Sequence, residues 1–200
     1  MSGTARRRTP KGSMSGSILR GMLLVGRGRR DGLLEFGATP DAFLASLAPL
    51  IAIPLVGAGF VLASGHPRSA ATSLLATVIA LLAPPVLSYE PARWWARQDH
   101  WLRYATALNW CQWLVPLLAA VLLILVYPPL TLVLPDPIAA YLILGALAAY
   151  GLWLHWFIAR HGLDIGPVRA AVLVVGVNLV TLILVAGPQA LGLTRPAPAP

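Results

Sequence analysis

Residues 104–135 read YATALNWCQWLVPLLAAVLLILVYPPLTLVLP, and no Asp, Glu, Lys or Arg interrupts them. About 20 apolar residues in a helix cross a hydrocarbon core of about 30 Å, so this stretch alone is enough for a membrane span. Four more charge-free runs flank it: Ala42 to Gly65, Ser69 to Tyr89, Pro137 to Ala159 and Ala170 to Thr194. Lipid gives backbone N–H and C=O groups no partner, and none of the runs alternates with the period of a barrel strand, so helices are the reading. The expected fold is all-α: a polytopic transmembrane helical bundle of about five spans over residues 41–194, with four or six as the alternative counts. Residues 104–135 are too long for one straight crossing, and Pro128-Pro129 is expected to end the third helix near Tyr127.

Composition agrees with the spans. The 200 residues are 58% hydrophobic and 11% charged, whereas a soluble chain is about a quarter charged. The charge that remains is unevenly placed. Eight basic residues precede the first span (Arg6, Arg7, Arg8, Lys11, Arg20, Arg27, Arg29 and Arg30). Arg93, Arg97 and Arg103 lie in the second connection, Arg160 and Arg169 in the fourth. Only Arg68 and Arg195 fall on the other side. The positive-inside rule then places the N-terminus in the cytoplasm and the C-terminus outside. A net charge of +8 would suggest nucleic acid in a soluble protein. Here it serves topology and attraction to anionic lipid headgroups, and no nucleic-acid partner is expected. Fourteen Arg against one Lys, with abundant Ala, suggests a GC-rich genome and a bacterial plasma (inner) membrane.

Residues 1–40 form a basic, partly disordered N-terminal segment. Its composition superficially fits an organellar transit peptide; a secretory signal fits worse, because the apolar run Met22 to Val25 is flanked by Arg20 and Arg27 and no small-residue cleavage site follows. Met14 offers a second plausible start. Between Ser17 and Phe36, Ile18, Met22, Val25 and Leu33 fall on a rough helical stripe with Arg20, Arg27 and Arg30 off it. That pattern predicts an amphipathic helix on the inner leaflet, although Gly26, Gly28 and Gly32 weaken it. Residues 195–200 form a polyproline-like Pro/Ala tail with no assigned role.

Two groups of residues are candidates for function. All seven Trp fall on the expected cytoplasmic side, and with neighbouring arginines they define a collar: Arg93, Trp94, Trp95, Arg97, Trp101, Arg103, Trp110, Trp113, Trp153 and Trp156. Such a collar anchors the bundle through cation–π contacts with Arg93, Arg97, Arg103 and Arg160, or it docks a protein partner or lipid headgroup. The second group is a polar layer inside the membrane, made of Asn109, Gln112, His155 and Asn178. Gln112 lies eight residues beyond Tyr104 and Asn178 eight beyond Ala170, so both sit about 12 Å inside. Amide bonds between spans, at about 1 kcal/mol each, fasten helices; the same groups could form a small hydrophilic site. Pro49 and Pro54, with Gly57 and Gly59, are expected to kink the first span and admit another backbone closely, and Pro116 to kink the third.

The chemistry excludes several classes. No Asp, Glu, Lys or Arg lies well inside a run, which disfavours ion-coupled pumping. One cysteine forms no redox pair, and one intramembrane His cannot ligate a bis-histidyl haem. Acidic clusters for magnesium, Gly-x-Ser-x-Gly, His-Glu-x-x-His and phosphate-binding Gly-rich loops are absent from the sequence. Cys111 with His155 as nucleophile and base lacks a third group. The charge bias permits one insertion, which closes the route to an inverted-repeat transporter built from oppositely inserted copies. No enzyme activity, cofactor or metal is expected.

Three stretches carry a family resemblance: Ser17-Ile-Leu-Arg-Gly-Met-Leu-Leu24, Leu47-Ala-Pro-Leu-Ile-Ala-Ile-Pro54, and the close of the bundle from Tyr150-Gly-Leu through His161-Gly-Leu to Pro167-Val-Arg-Ala170. Their order resembles the bacterial branch of the Yip-domain family of five-span membrane proteins. The resemblance implies a non-enzymatic, membrane-organising or trafficking-like interaction role. The Asp-Leu-Tyr-Gly-Pro motif of the eukaryotic members is absent, which argues against a GTPase partner of their kind, and no functional residue carries over. The alternative expectation is a small permease or transporter subunit for a polar solute or lipid, using the intramembrane amides and His155.

Overall fold

The computed structural model describes residues 14–65 and 67–190. The basic residues 1–13 and the tail 195–200 lie outside the described residues. The described elements are helical: α1 (Met14–Gly26), a 3-10 turn (Arg30–Glu35), α2 (Pro40–Ala63), α3 (Pro67–Trp94), α4 (Gln98–Cys111), α5 (Leu114–Val121), a π-turn (Leu122–Val126), α6 (Tyr127–Thr131), α7 (Asp136–Gly162) and α8 (Pro167–Ala190). Five helices are long and apolar enough to cross a membrane, counting Gln98–Thr131 as one interrupted rod. The chain therefore has the architecture of a multi-pass helical membrane protein.

Helix ends follow local rules. The Thr39 side chain accepts from Ala42 N–H at 3.2 Å, with Pro40 opening α2, a cap that satisfies one of the orphan donors of the first turn. Several helices run beyond the charge-free stretches: α3 continues through Glu90 and Arg93, and α4 starts at Gln98 and includes Arg103. Backbone hydrogen bonding does not stop at the hydrocarbon boundary, so charged residues at the water interface continue a helix.

The third span departs from expectation in two places. Pro116 cannot donate to the carbonyl of Gln112, and the ladder there tightens to Trp113 N–H to Trp110 O and Val115 N–H to Gln112 O, breaking the rod at Gln112–Trp113. The ladder is thus interrupted in the turn that precedes Pro116, where a kink is expected. Pro128-Pro129 do not end the helix at Tyr127, however. A π-turn at 122–126 precedes them, with Tyr127 N–H bonding Leu122 O, and this wider turn makes room for the proline rings so that α6 continues to Thr131.

Packing is concentrated at the end of the bundle that carries the arginines, here called the basic end. Met22 and Val25 of α1, Leu33 and Phe36 from the turn region, residues 104–108 and Cys111 of α4, Leu154 to Ala159 of α7 and Leu173, Val174 and Val177 of α8 form its core. The Ile18, Met22, Val25 and Leu33 stripe is thus turned onto protein, while Leu19, Leu23 and Leu34 face outward. In the opposite half α5, the π-turn and α6 bury no residue.

This difference falls on either side of the break in the third span. Along α2, Phe43, Ser46 and Leu50 share a face with Pro54, Gly57 and Val61. Ser46 and Leu50 are buried, in the half where α2 packs against α4. Beyond the break α5 packs against α7, and the upper part of the α2 face is left open: Val61 and Gly57 are exposed. A side chain placed at Gly57 or Gly59 would meet nothing within 4 Å. The close backbone approach expected there is therefore absent, and α2 remains one helix across both Pro49 and Pro54.

Candidate functional site: an intramembrane polar cavity

A cavity of about 230 Å³ lies where the third span breaks. Leu108, Cys111 and Gln112 of α4, Val115 of α5, Gly151, Leu154, His155 and Ile158 of α7, Pro84 of α3 and Asn178 of α8 line it. Three of the four expected polar residues are therefore on one cavity. The fourth is not: Asn109 Nδ2 donates to Ser46 Oγ at 2.9 Å, joining α4 to α2, and Ser46 Oγ donates to Phe43 O at 2.6 Å. Asn109 belongs to α4 and Gln112 caps it, and the two amides, three residues apart, meet different neighbours.

His155 is the fixed point of the site. Its Nε2 faces Tyr104 Oη at 3.2 Å, and its Nδ1 faces Asn178 Nδ2, also at 3.2 Å. Asn178 Nδ2 also donates to Val174 O at 2.8 Å. An amide nitrogen only donates, so Nδ1 accepts and the imidazole proton is on Nε2, directed at the tyrosine oxygen. With both nitrogens engaged, His155 is held as a wall of the site. Neither nitrogen is aimed at Cys111, which argues against the nucleophile–base pair.

The two amides differ from His155. Gln112 Nε2 is buried and has no partner among the described residues. Asn178 is exposed, although it lies halfway along an apolar helix. A buried donor without an acceptor costs about 1–3 kcal/mol, and polar groups exposed at membrane depth are found where they line a water- or ligand-filled space. The arrangement offers an N–H donor and an exposed amide on an otherwise apolar surface.

The collar is spread over several separate roles. Trp101 Nε1 donates to Pro85 O and Ser88 Oγ, both at 3.2 Å, and its ring packs on Phe43 and Tyr89. Trp156 Nε1 donates to Pro167 O at 3.1 Å, and Arg160 lies 5.2 Å above its ring. Trp153 packs between Tyr150 and Phe157. Arg93 pairs with Glu90 at 3.3 Å and Arg97 with Asp164 at 3.1 Å. Of the four expected arginine–tryptophan contacts, the one found among the described residues is that of Arg160. Arg103 Nε and Trp113 Nε1 are buried without partners, while Trp94 is 74% exposed and shares an apolar groove with Trp95, Val172 and Gly176.

Tyr104, Pro84, Gly151 and Ser46 were not singled out from the sequence. Tyr104 had a signal, since a tyrosine at the start of an apolar run buries its ring and needs a partner for its hydroxyl. Gly151 had none; its role is to leave space, with an added Cβ meeting only Val115 at 3.6 Å. Comparison of the chain with protein-family models, curated proteins and solved structures finds no match.

Proposed function

We propose that this protein works by binding a small polar group inside the bilayer, as a small permease or lipid-handling subunit does, rather than by catalysis. The observation that carries the reading is the unpartnered Gln112 Nε2 and the exposed Asn178 side chain on one cavity. Structural fastening accounts for Asn178 Nδ2, which bonds His155 and Val174, and leaves Gln112 Nε2 unused. We also place the basic end at the cytoplasmic face of a bacterial inner membrane, on the strength of thirteen of fifteen Lys and Arg on that side.

The membrane-organising role implied by the Yip-domain resemblance is the second reading. Exposed Trp94, beside the groove shared by α3 and α8, favours it. Gentle purification followed by mass spectrometry separates the two. Wild type should retain a small molecule or lipid near stoichiometry, and a Gln112→Leu/Asn178→Leu variant should lose it. A protein partner lost in Trp94→Ala, with no small molecule in wild type, would replace the first reading by the second.

A further inference from the structure

The cavity's chemistry narrows its ligand. No Asp, Glu, Lys or Arg is among its lining residues, so a charged headgroup would be desolvated there without a counter-charge. His155 contributes no free donor, because Nε2 is turned to Tyr104. Gln112 Nε2 requires an acceptor oxygen, and Asn178, whose nitrogen already serves Val174 and His155, has its carbonyl to offer a donor. A hydroxyl or ester-and-hydroxyl group satisfies both. The size also fits: an apolar cavity of about 150 Å³ holds benzene, so about 230 Å³ holds a headgroup of glycerol size and the first chain atoms.

The surroundings indicate where the rest of the ligand lies. Toward the basic end, Tyr104, Leu108 and Ile158 are buried in the packed core and close the way. Away from it, Pro84 shares its face of α3 with Thr77 and Ser73. These two, with Pro54, Gly57 and Val61 of α2, line a second space of about 260 Å³. This second space lies further along the same face of α3, away from the basic end. α5 packs on α7 and makes no substantial packing with α2 or α3 among the described residues, and Gly57 and Val61 beside this space are exposed.

Resting on the cavity reading above, we infer that the ligand is an uncharged membrane amphiphile: its oxygen-bearing headgroup between Gln112 and Asn178, its chain along the open face of α2 and α3. The test uses the full chain in phosphatidylcholine nanodiscs containing a monoacylglycerol with a diazirine in its chain, with labelled peptides mapped by mass spectrometry. Labelling is expected in the α2 and α3 segments around Gly57 and Thr77, about tenfold lower in Gln112→Leu. Gly151→Val, which narrows the cavity without touching an amide, should lower it too, so that an unfolded Gln112→Leu sample does not decide the matter. Equal or stronger Gln112-dependent labelling by a phosphatidic acid of the same chain, or displacement by free glycerol, would overturn the uncharged-amphiphile assignment and leave the cavity reading standing. If neither lipid labels in an amide- or cavity-dependent way and glycerol does not bind, both fall together.

Discussion

Single residues set the local energies of this bundle, and two of them can be examined apart from the ligand. Ala96, in the turn between α3 and α4, has φ 55°, a left-handed conformation that costs a side chain with a Cβ about 1 kcal/mol relative to glycine. Ala96→Gly should therefore raise the unfolding midpoint in detergent, and an unchanged or lower midpoint would show that the strain is relieved elsewhere. Gly32 is the opposite case. A Cβ there would lie 2.7 Å from Leu24 Cβ and 2.8 Å from Gly21 O, so Gly32→Ala should destabilise by about 1–3 kcal/mol, the cost of overpacking. His155→Phe removes the contacts to Tyr104 and Asn178. Loss of about 1–3 kcal/mol is expected, with partial recovery in His155→Gln, read by thermal unfolding in the same detergent.

At the scale of elements, the third span decides whether the cavity exists. Pro116→Ala supplies the regular α-helical donor to Gln112 O in place of the tighter Val115 N–H bond, and α4 and α5 should then join into a straighter helix that moves toward α2. Spin labels at Gly57→Cys and Val121→Cys, in a Cys111→Ala background, should show a shorter separation in the Pro116→Ala protein by pulsed electron resonance. An unaltered distance would mean that packing on α7, rather than the proline, directs α5. The five long helices were legible in the sequence because charge-free runs of that length have no other stable form in lipid. Their ends were less so, since Glu90, Arg93 and Arg103 continue helices past the hydrocarbon. The course around Pro128-Pro129 was not legible, because a π-turn is a matter of hydrogen-bond register that residue type alone does not announce. For the site, the presence of amides and His155 could be read from the chain. The separation of Asn109 from the other three could not, since it depends on which neighbouring helix each side of α4 meets.

The whole molecule is asymmetric along its length, with a packed basic end and an open opposite half. The lead-in contributes to that packing: Val25 is fully buried, Phe36 is 2% exposed, and Tyr150 Oη donates to Gly26 O at 3.2 Å. Deleting residues 1–36 should therefore reduce the stability of the spans themselves, measured as a lower unfolding midpoint of the purified bundle. An unchanged midpoint would show that α1 merely rests on the core. Exposed apolar side chains on α2, α5, α7 and α8, among them Phe60, Leu117, Leu144 and Leu182, are the surface a bilayer covers in a multi-pass protein, and their exposure is unremarkable there.

The rod from Gln98 to Thr131 has 34 residues, against 24 to 28 in the other four spanning helices. At the α-helical rise it would measure roughly 50 Å, well beyond a hydrocarbon core of about 30 Å. It is also the span with joints, at Gln112–Trp113 and at the π-turn. When the surrounding bilayer thins or thickens, tilting and bending at these joints should take up more of the change than the four unbroken helices do; equal changes in tilt for all five helices in thin and thick bilayers would show that the joints carry no such role.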